Sequence, residues 1–244
     1  YQNNKEDDMG VHIDYNSLEK YSKSLDEAIK KPSKEYEKIG IYSEGYYKQI
    51  NANTLQIENE YYSTVRPKPD PSIAKRPSKA LLEGGVDYIE LRSIDNNIFS
   101  NTGIDIDQMY FVELLMIHSL ISNDSEISQK EYIESKNNLT NIAHNGRDKG
   151  FKLKSKNIDV SIDFALREIL SELSSIADFM SKIKNDDRYN QSVKDQKEKF
   201  KNNHKLPSNL VIDKMIENKY SFYEFCMENI WKQKKYFSTL NFDN

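Results

Sequence analysis

Leu18, Tyr21, Leu25, Ala28 and Ile29 recur at intervals of three and four behind Asn16-Ser17-Leu18-Glu19, which predicts a capped amphipathic helix stopped by Pro32. From Tyr36 to Tyr62 the rhythm shortens. Ile39 and Ile41 alternate and Gly45 marks a turn. Leu55, Ile57, Asn59 and Tyr61 then alternate with Gln56, Glu58, Glu60 and Tyr62, which predicts a strand with one polar face. Four of the six prolines fall between Arg66 and Pro77, a density that predicts an extended surface loop. Ser78 to Glu83 reads as a helical turn closed by Gly84 and Gly85.

After Ser93 the pattern becomes almost continuously helical. Asp105 or Asp107 caps an apolar helix to about Ile121, and Ser128 to Glu131 forms a capping box opening a helix that ends at Gly146. Ile162, Leu166, Ile169, Leu173, Ile176, Met180 and Ile183 predict a long amphipathic helix within 159–184. The charged stretch from Asp186 to Lys205 reads as a solvated helix, Leu210 to Ile216 as a short one, and Ser221 caps a last helix through Trp231. The expected fold is α+β: residues 1–105 form part of an antiparallel sheet region, and a helical region, 106–244, packs on it.

The stretch with unusual chemistry is Gly84-Gly85-Val86-Asp87-Tyr88-Ile89-Glu90-Leu91-Arg92-Ser93. As a strand it puts Val86, Tyr88, Glu90 and Arg92 on one face, and Ile89 and Leu91 on the other. Glu90 and Arg92 then stand roughly 6.6 Å apart along the strand, close enough for a carboxylate to hold a cation beside a guanidinium that grips an anion. The same pattern also describes a solvated edge strand with a plain ion pair.

Composition narrows the choices. With 39 acidic against 35 basic residues and a net charge of −4, the chain has no basic stripe for a nucleic-acid backbone. Sixteen Tyr and ten Phe supply the apolar area of a globular core. The single cysteine, Cys226, excludes an internal disulfide and a thiolate metal cage, and suits a reducing cytoplasm. His118 has no second histidine or cysteine at ligand spacing and reads as a boundary residue. No apolar run reaches the ~18 residues needed to span a bilayer. No phosphate loop and no serine nucleophile elbow is present. The sequence opens on Tyr1 and not Met, and reads as part of a longer chain.

Pro32 to Tyr36, Leu55 to Tyr62 with Arg66-Pro67-Lys68, and Gly84 to Asp95 closely resemble, in order and spacing, successive segments of the proteobacterial glutamate-cysteine ligase (gamma-glutamylcysteine synthetase) family. The likeness continues through Pro77-Ser78, Phe99-Ser100, the helix from Met109, and Gly146-Arg147 with Gly150, and covers about three fifths of the chain. It implies a glutamine-synthetase-like ligase architecture and an ATP-dependent ligation: ATP phosphorylates the side-chain carboxylate of glutamate, and the amine of cysteine displaces the phosphate. Mg2+ is the implied cofactor. Glu90 matches a magnesium ligand, Arg92 an arginine on the transferring phosphoryl group, and Tyr62 and Tyr1 two tyrosines of the cysteine pocket. Arg66, Gln56, Glu58 and Glu60 lie in a matched segment and are candidates for nucleotide or metal contact. The family's other metal ligands belong to an N-terminal half that is not in this sequence, so the chain alone is expected to be inactive. The competing reading is a non-catalytic helical interaction module built on the 162–183 seam.

Overall fold

The structure is a computed structural model that describes residues 11–122, 125–148 and 150–240. The chain divides into two compact units, one ending at Ile94 and the other beginning at Asp95. It is an α+β chain, but its strands do not form one sheet. Among the described residues they make three separate antiparallel pairs.

In the first unit, α1 (Leu18–Ala28) starts at Ser17, whose hydroxyl accepts from Lys20 N. It buries Tyr21, Leu25 and Ala28 with Val11, Ile13, Leu55, Tyr61 and Leu81. The strand rhythm expected from Tyr36 is overturned at once, because Ser33 caps a short helix, α2 (Lys34–Ile39). Only the turn at Gly45 forms a hairpin: β1 (Tyr42–Ser43) pairs with β2 (Tyr46–Tyr47) across Glu44 and Gly45, both at positive φ.

The polar strand expected over Leu55 to Tyr62 is also absent; a 3-10 turn, Glu58–Glu60, stands in its place. The cause is local competition. The Asn51 side chain donates to Gln56 O, Gln56 Oε1 accepts from Ile50 N, and Glu60 accepts from Gln56 N, so side chains satisfy the backbone that a ladder would have used.

The proline-rich segment holds a strand, β3 (Val65–Lys68), where a loop was expected. It pairs antiparallel with β4 (Tyr88–Leu91), matching Val65 to Leu91, Arg66 to Glu90, Pro67 to Ile89 and Lys68 to Tyr88. Arg92 N donates to Thr64 O at 2.8 Å, so by the alternation of an antiparallel ladder Pro67 falls in a pair without backbone hydrogen bonds. Its missing N–H therefore costs nothing. Between the strands lies α3 (Pro77–Gly84), ended by Gly85 at φ 80°, which admits no side chain without strain.

Among its described residues the second unit is helical apart from one hairpin. Its helices are α4 (Ile106–Ile121), α5 (Gln129–Asn145), α6 (Ile162–Lys184), α7 (Arg188–Lys201), α8 (Pro207–Asn218) and α9 (Phe222–Ser238). Ser128 with Glu131 and Ser221 with Glu224 form full capping boxes. The core joins α4, α6 and α7 through Leu114, Leu170, Leu173, Ala177, Tyr189 and Val193. The 186–205 stretch, expected to be solvated, thus contributes Tyr189, Ser192 and Val193 to the interior. The hairpin β5 (Lys152–Ser155) and β6 (Ile158–Ser161) was not foreseen, and it delays the start of α6 to Ile162. Its signal is Lys156-Asn157, a two-residue turn with both φ values positive between alternating flanks. His118 sits at the surface of α4 with Nε2 at 2.5 Å from Glu172 Oε2.

Candidate active site

Cross-strand partners in an antiparallel pair point to the same side, so β3 and β4 present two unlike faces. Arg66, Lys68, Tyr88 and Glu90 share one, whereas Val65, Pro67, Ile89 and Leu91 share the other. The charged face reaches the interior through Arg66, which is 4% exposed, whereas Tyr88 on the same face is 50% exposed and Val65 and Ile89 on the apolar face are 39% and 46% exposed.

Glu90 and Arg92 meet directly. Arg92 Nε lies 3.0 Å from Glu90 Oε1, and its Nη2 donates to Oε2 at 3.2 Å. This is the two-point grip that a planar guanidinium makes on a carboxylate. Lys68 Nζ approaches the same Oε2 at 3.0 Å from the neighbouring strand. Together Arg92, first, and Lys68 hold the Glu90 carboxyl below its usual range. The guanidinium of Arg92 also lies over the ring of Tyr62, 5.4 Å from its centroid. Four side chains from two strands and the segment after the 3-10 turn therefore converge: Tyr62, Lys68, Glu90 and Arg92.

The turn that delivers Tyr62 is pinned by Glu58. This carboxylate is buried and accepts from Ser78 N at 2.8 Å and Ser78 Oγ at 2.6 Å, with Arg76 Nη1 at 3.6 Å. Ser78 stands in the first turn of α3, so Glu58 caps that helix from twenty residues away, where its charge also suits the helix dipole. Arg66 is placed against Tyr21, whose hydroxyl is pushed up to about 12 chiefly by burial, and the Arg66 Nε has no hydrogen-bond partner. Gln56 and Glu60 are occupied with the backbone, as described above. The structure thus brings Glu90, Arg92 and Tyr62 together. Glu58 and Arg66 lie in the interior, and Tyr1 lies outside the described residues. Lys68 is the residue that sequence reasoning passed over, because the prolines around it concealed the strand that aims it at Glu90.

Among the described residues no group of three or more His, Cys, Asp or Glu side chains converges. The donor set still suits one corner of a magnesium site. Mg2+ keeps several waters and commonly takes only one or two carboxylates, with substrate phosphates completing its shell.

The profile of the glutamate-cysteine ligase family matches residues 1–142. A glutamate–cysteine ligase of Alcanivorax borkumensis is 33% identical over 242 residues, covering 97% of this chain and 46% of that protein. One from Shewanella oneidensis is 37% identical over 177 residues, 72% of this chain and 34% of that protein. Among solved structures, the glutamate–cysteine ligase of Francisella tularensis in complex with AMP superposes with a TM-score of 0.85 at 28% identity, over 96% of this chain and 46% of that one. A bifunctional glutathione synthetase of Pasteurella multocida shares the fold, with a TM-score of 0.57 at 17% identity.

This α+β chain gathers a carboxylate, two cations and a tyrosine beside one strand pair. The chain belongs to the glutamate-cysteine ligase family. It spans less than half the length of the curated relatives it matches.

Proposed function

We propose that the polypeptide carrying this chain joins L-glutamate to L-cysteine at the expense of ATP, giving gamma-glutamylcysteine for glutathione synthesis in the cytoplasm. The γ-phosphoryl group of ATP passes to an oxygen of the glutamate side-chain carboxylate, releasing ADP. The cysteine amine then attacks the acyl carbon, phosphate leaves, and the amine gives up a proton. The observation that carries this reading is the contact of Glu90 on β4 with Arg92 just beyond it, and of Arg92 with the Tyr62 ring, in a chain of this family.

Each residue has a role suited to its chemistry. Glu90 offers a hard oxygen to Mg2+, which when bound supplies positive charge against the phosphates. Arg92 presents a fixed, planar pair of donors to the phosphoryl oxygens, where charge develops during transfer. Tyr62 steadies that guanidinium with its ring and borders the cysteine site. Glu58 acts through the turn it anchors, and Arg66 braces β3 from within. Glu90 can fill only part of a metal shell, so the remaining ligands come from elsewhere in the polypeptide, and this chain alone is inactive.

The test is phosphate release from magnesium ATP that depends on both glutamate and cysteine, measured for this chain and for a polypeptide extended upstream to the length of its relatives. The expected outcome is a response from the extended form alone. Silence from both, although both fold, would sink the ligase reading and return attention to a helical interaction module. In the extended form, Glu90→Gln and Arg92→Ala should each lower kcat by about 10²–10³-fold, the scale of one lost electrostatic contact to a transition state. Near-normal turnover in either variant removes that residue from the mechanism.

A further inference from the structure

We infer that Lys68 is a working residue of this site: it holds Glu90 while no divalent cation is present, and it transfers to a phosphate oxygen of the nucleotide once the cation has taken Glu90. The inference rests on the ligase reading and adds to it a residue which that reading leaves without a role.

A structural ion pair needs one cation for one carboxylate, but Glu90 has two. Arg92 grips both carboxylate oxygens and Lys68 Nζ sits 3.0 Å from one of them, leaving a positive charge in excess at a partly exposed position. The backbone under Lys68 is unusually constrained. Pro67 precedes it and Pro69 follows it, which confines Lys68 to extended geometry, and the pairing with Tyr88 sets its direction. The side chain is not confined in the same way. A lysine head is a compact charge on a flexible four-carbon stem, whereas the Arg92 guanidinium is planar and lies over Tyr62.

The two cations therefore differ in what they do when a divalent ion arrives. A divalent ion held by Glu90 would repel both cations now on its carboxylate, Arg92 as well as Lys68, and the ammonium on its flexible stem is the one free to swing away. The freed ammonium would then take a phosphate oxygen of the nucleotide as its partner. Arg92 stays on its ring as the fixed donor, and Lys68 becomes the movable one. The site thus keeps its carboxylate ordered and neutralised before substrate binds, and recovers a cation for the phosphates afterwards.

The experiment uses the extended polypeptide and reads binding, not turnover. Mn2+ affinity is measured by electron paramagnetic resonance without nucleotide, and affinity for a non-hydrolysable ATP analogue by calorimetry with Mg2+. Lys68→Met should bind Mn2+ several-fold more tightly than the parent and the analogue about tenfold more weakly, the scale of one charge-assisted hydrogen bond. Lys68→Arg, which keeps the charge, should stay close to the parent in both. Unchanged values for Lys68→Met in either measurement, or equal behaviour of the Met and Arg variants, overturn the inference. Glu90→Gln separates the two levels: loss of Mn2+ binding there with no response to Lys68→Met defeats only the lysine hand-over. Unaltered Mn2+ binding in Glu90→Gln defeats the metal-ligand assignment beneath it.

Discussion

Among the described residues of the helical unit the buried set is Leu114, Leu170, Leu173, Ala177, Tyr189, Val193 and Phe225, with Ser192 as its polar member. In the first unit the buried set includes Glu58, Arg66, Ser22, Ser78 and Thr54 beside its apolar residues. The helical unit is held by apolar volume, and its hydrogen bonds are mostly those of the helices themselves. The first unit spends polar side chains on its interior, where each must find a partner or cost stability. Its reward is position: the Glu58 anchor and the β3–β4 register aim Tyr62, Lys68, Glu90 and Arg92 at one point. Unit one is therefore sensitive to hydrogen-bond geometry, and unit two to packing.

Hydrogen exchange resolved to peptides can test that contrast in the extended polypeptide, because it reports each unit separately. The largest effect is expected from Leu173→Ala. Leu173 is fully buried, and its truncation should cost about 2–5 kcal/mol, read as faster exchange across α4, α6 and α7 with β3, α3 and β4 unaffected. A change confined to α6 would show that the three helices do not share one core. Next is Glu58→Ala, which strands Ser78 N and Oγ and should cost about 1–3 kcal/mol, loosening α3, the 3-10 turn and β3. Glu58→Gln keeps an acceptor and should lose less. Equal losses from the two would mean that the helix cap is not what Glu58 provides.

The smallest effect concerns a polar cluster on the helical side. Arg188 and then Tyr110 hydrogen-bond Asp186 and hold its carboxyl far below the ordinary value of 3.8. A depressed carboxylate pKa contributes stability that is present above the unfolded value and lost as pH falls through the folded one. Asp186→Asn should therefore leave α4 and α7 less protected than the parent at neutral pH, with the gap narrowing progressively below about pH 4. A gap that stays constant through that range would show that the charge of Asp186 is not the source.

Long helices were legible because their cause is local. The period of Leu166, Ile169, Leu173, Ile176 and Met180 and the boxes at Ser128 and Ser221 depend only on neighbouring residues, and α5, α6 and α9 follow them. The 186–205 stretch differs from its solvated pattern because its high charge count masks Tyr189 and Val193, which α7 turns toward α4 and α6. The alternation of Gln56, Glu58, Glu60 and Tyr62 misled for the opposite reason. Those residues are short of apolar partners and rich in side-chain acceptors, so they bonded to backbone and to α3, not to a strand. At the site, Glu90 and Arg92 could be paired by their spacing, and Tyr62 by resemblance. Lys68 could not, since its approach to Glu90 depends on the register of a partner strand twenty residues away in sequence.

The sequence by itself determined the α+β class, the helical second part, the family, and the i to i+2 placement of Glu90 and Arg92 along a strand. All of these follow from local periodicity or from motif order. Only the tertiary structure decided that Arg66 of β3 enters the interior of the first unit while Tyr88, Val65 and Ile89 stay exposed, that Glu58 caps α3, and that Lys68 shares the Glu90 carboxylate. The physical reason is the same in each case. Strand register and long-range capping are choices between distant segments whose local preferences are nearly equal, and only the assembled core makes them unequal.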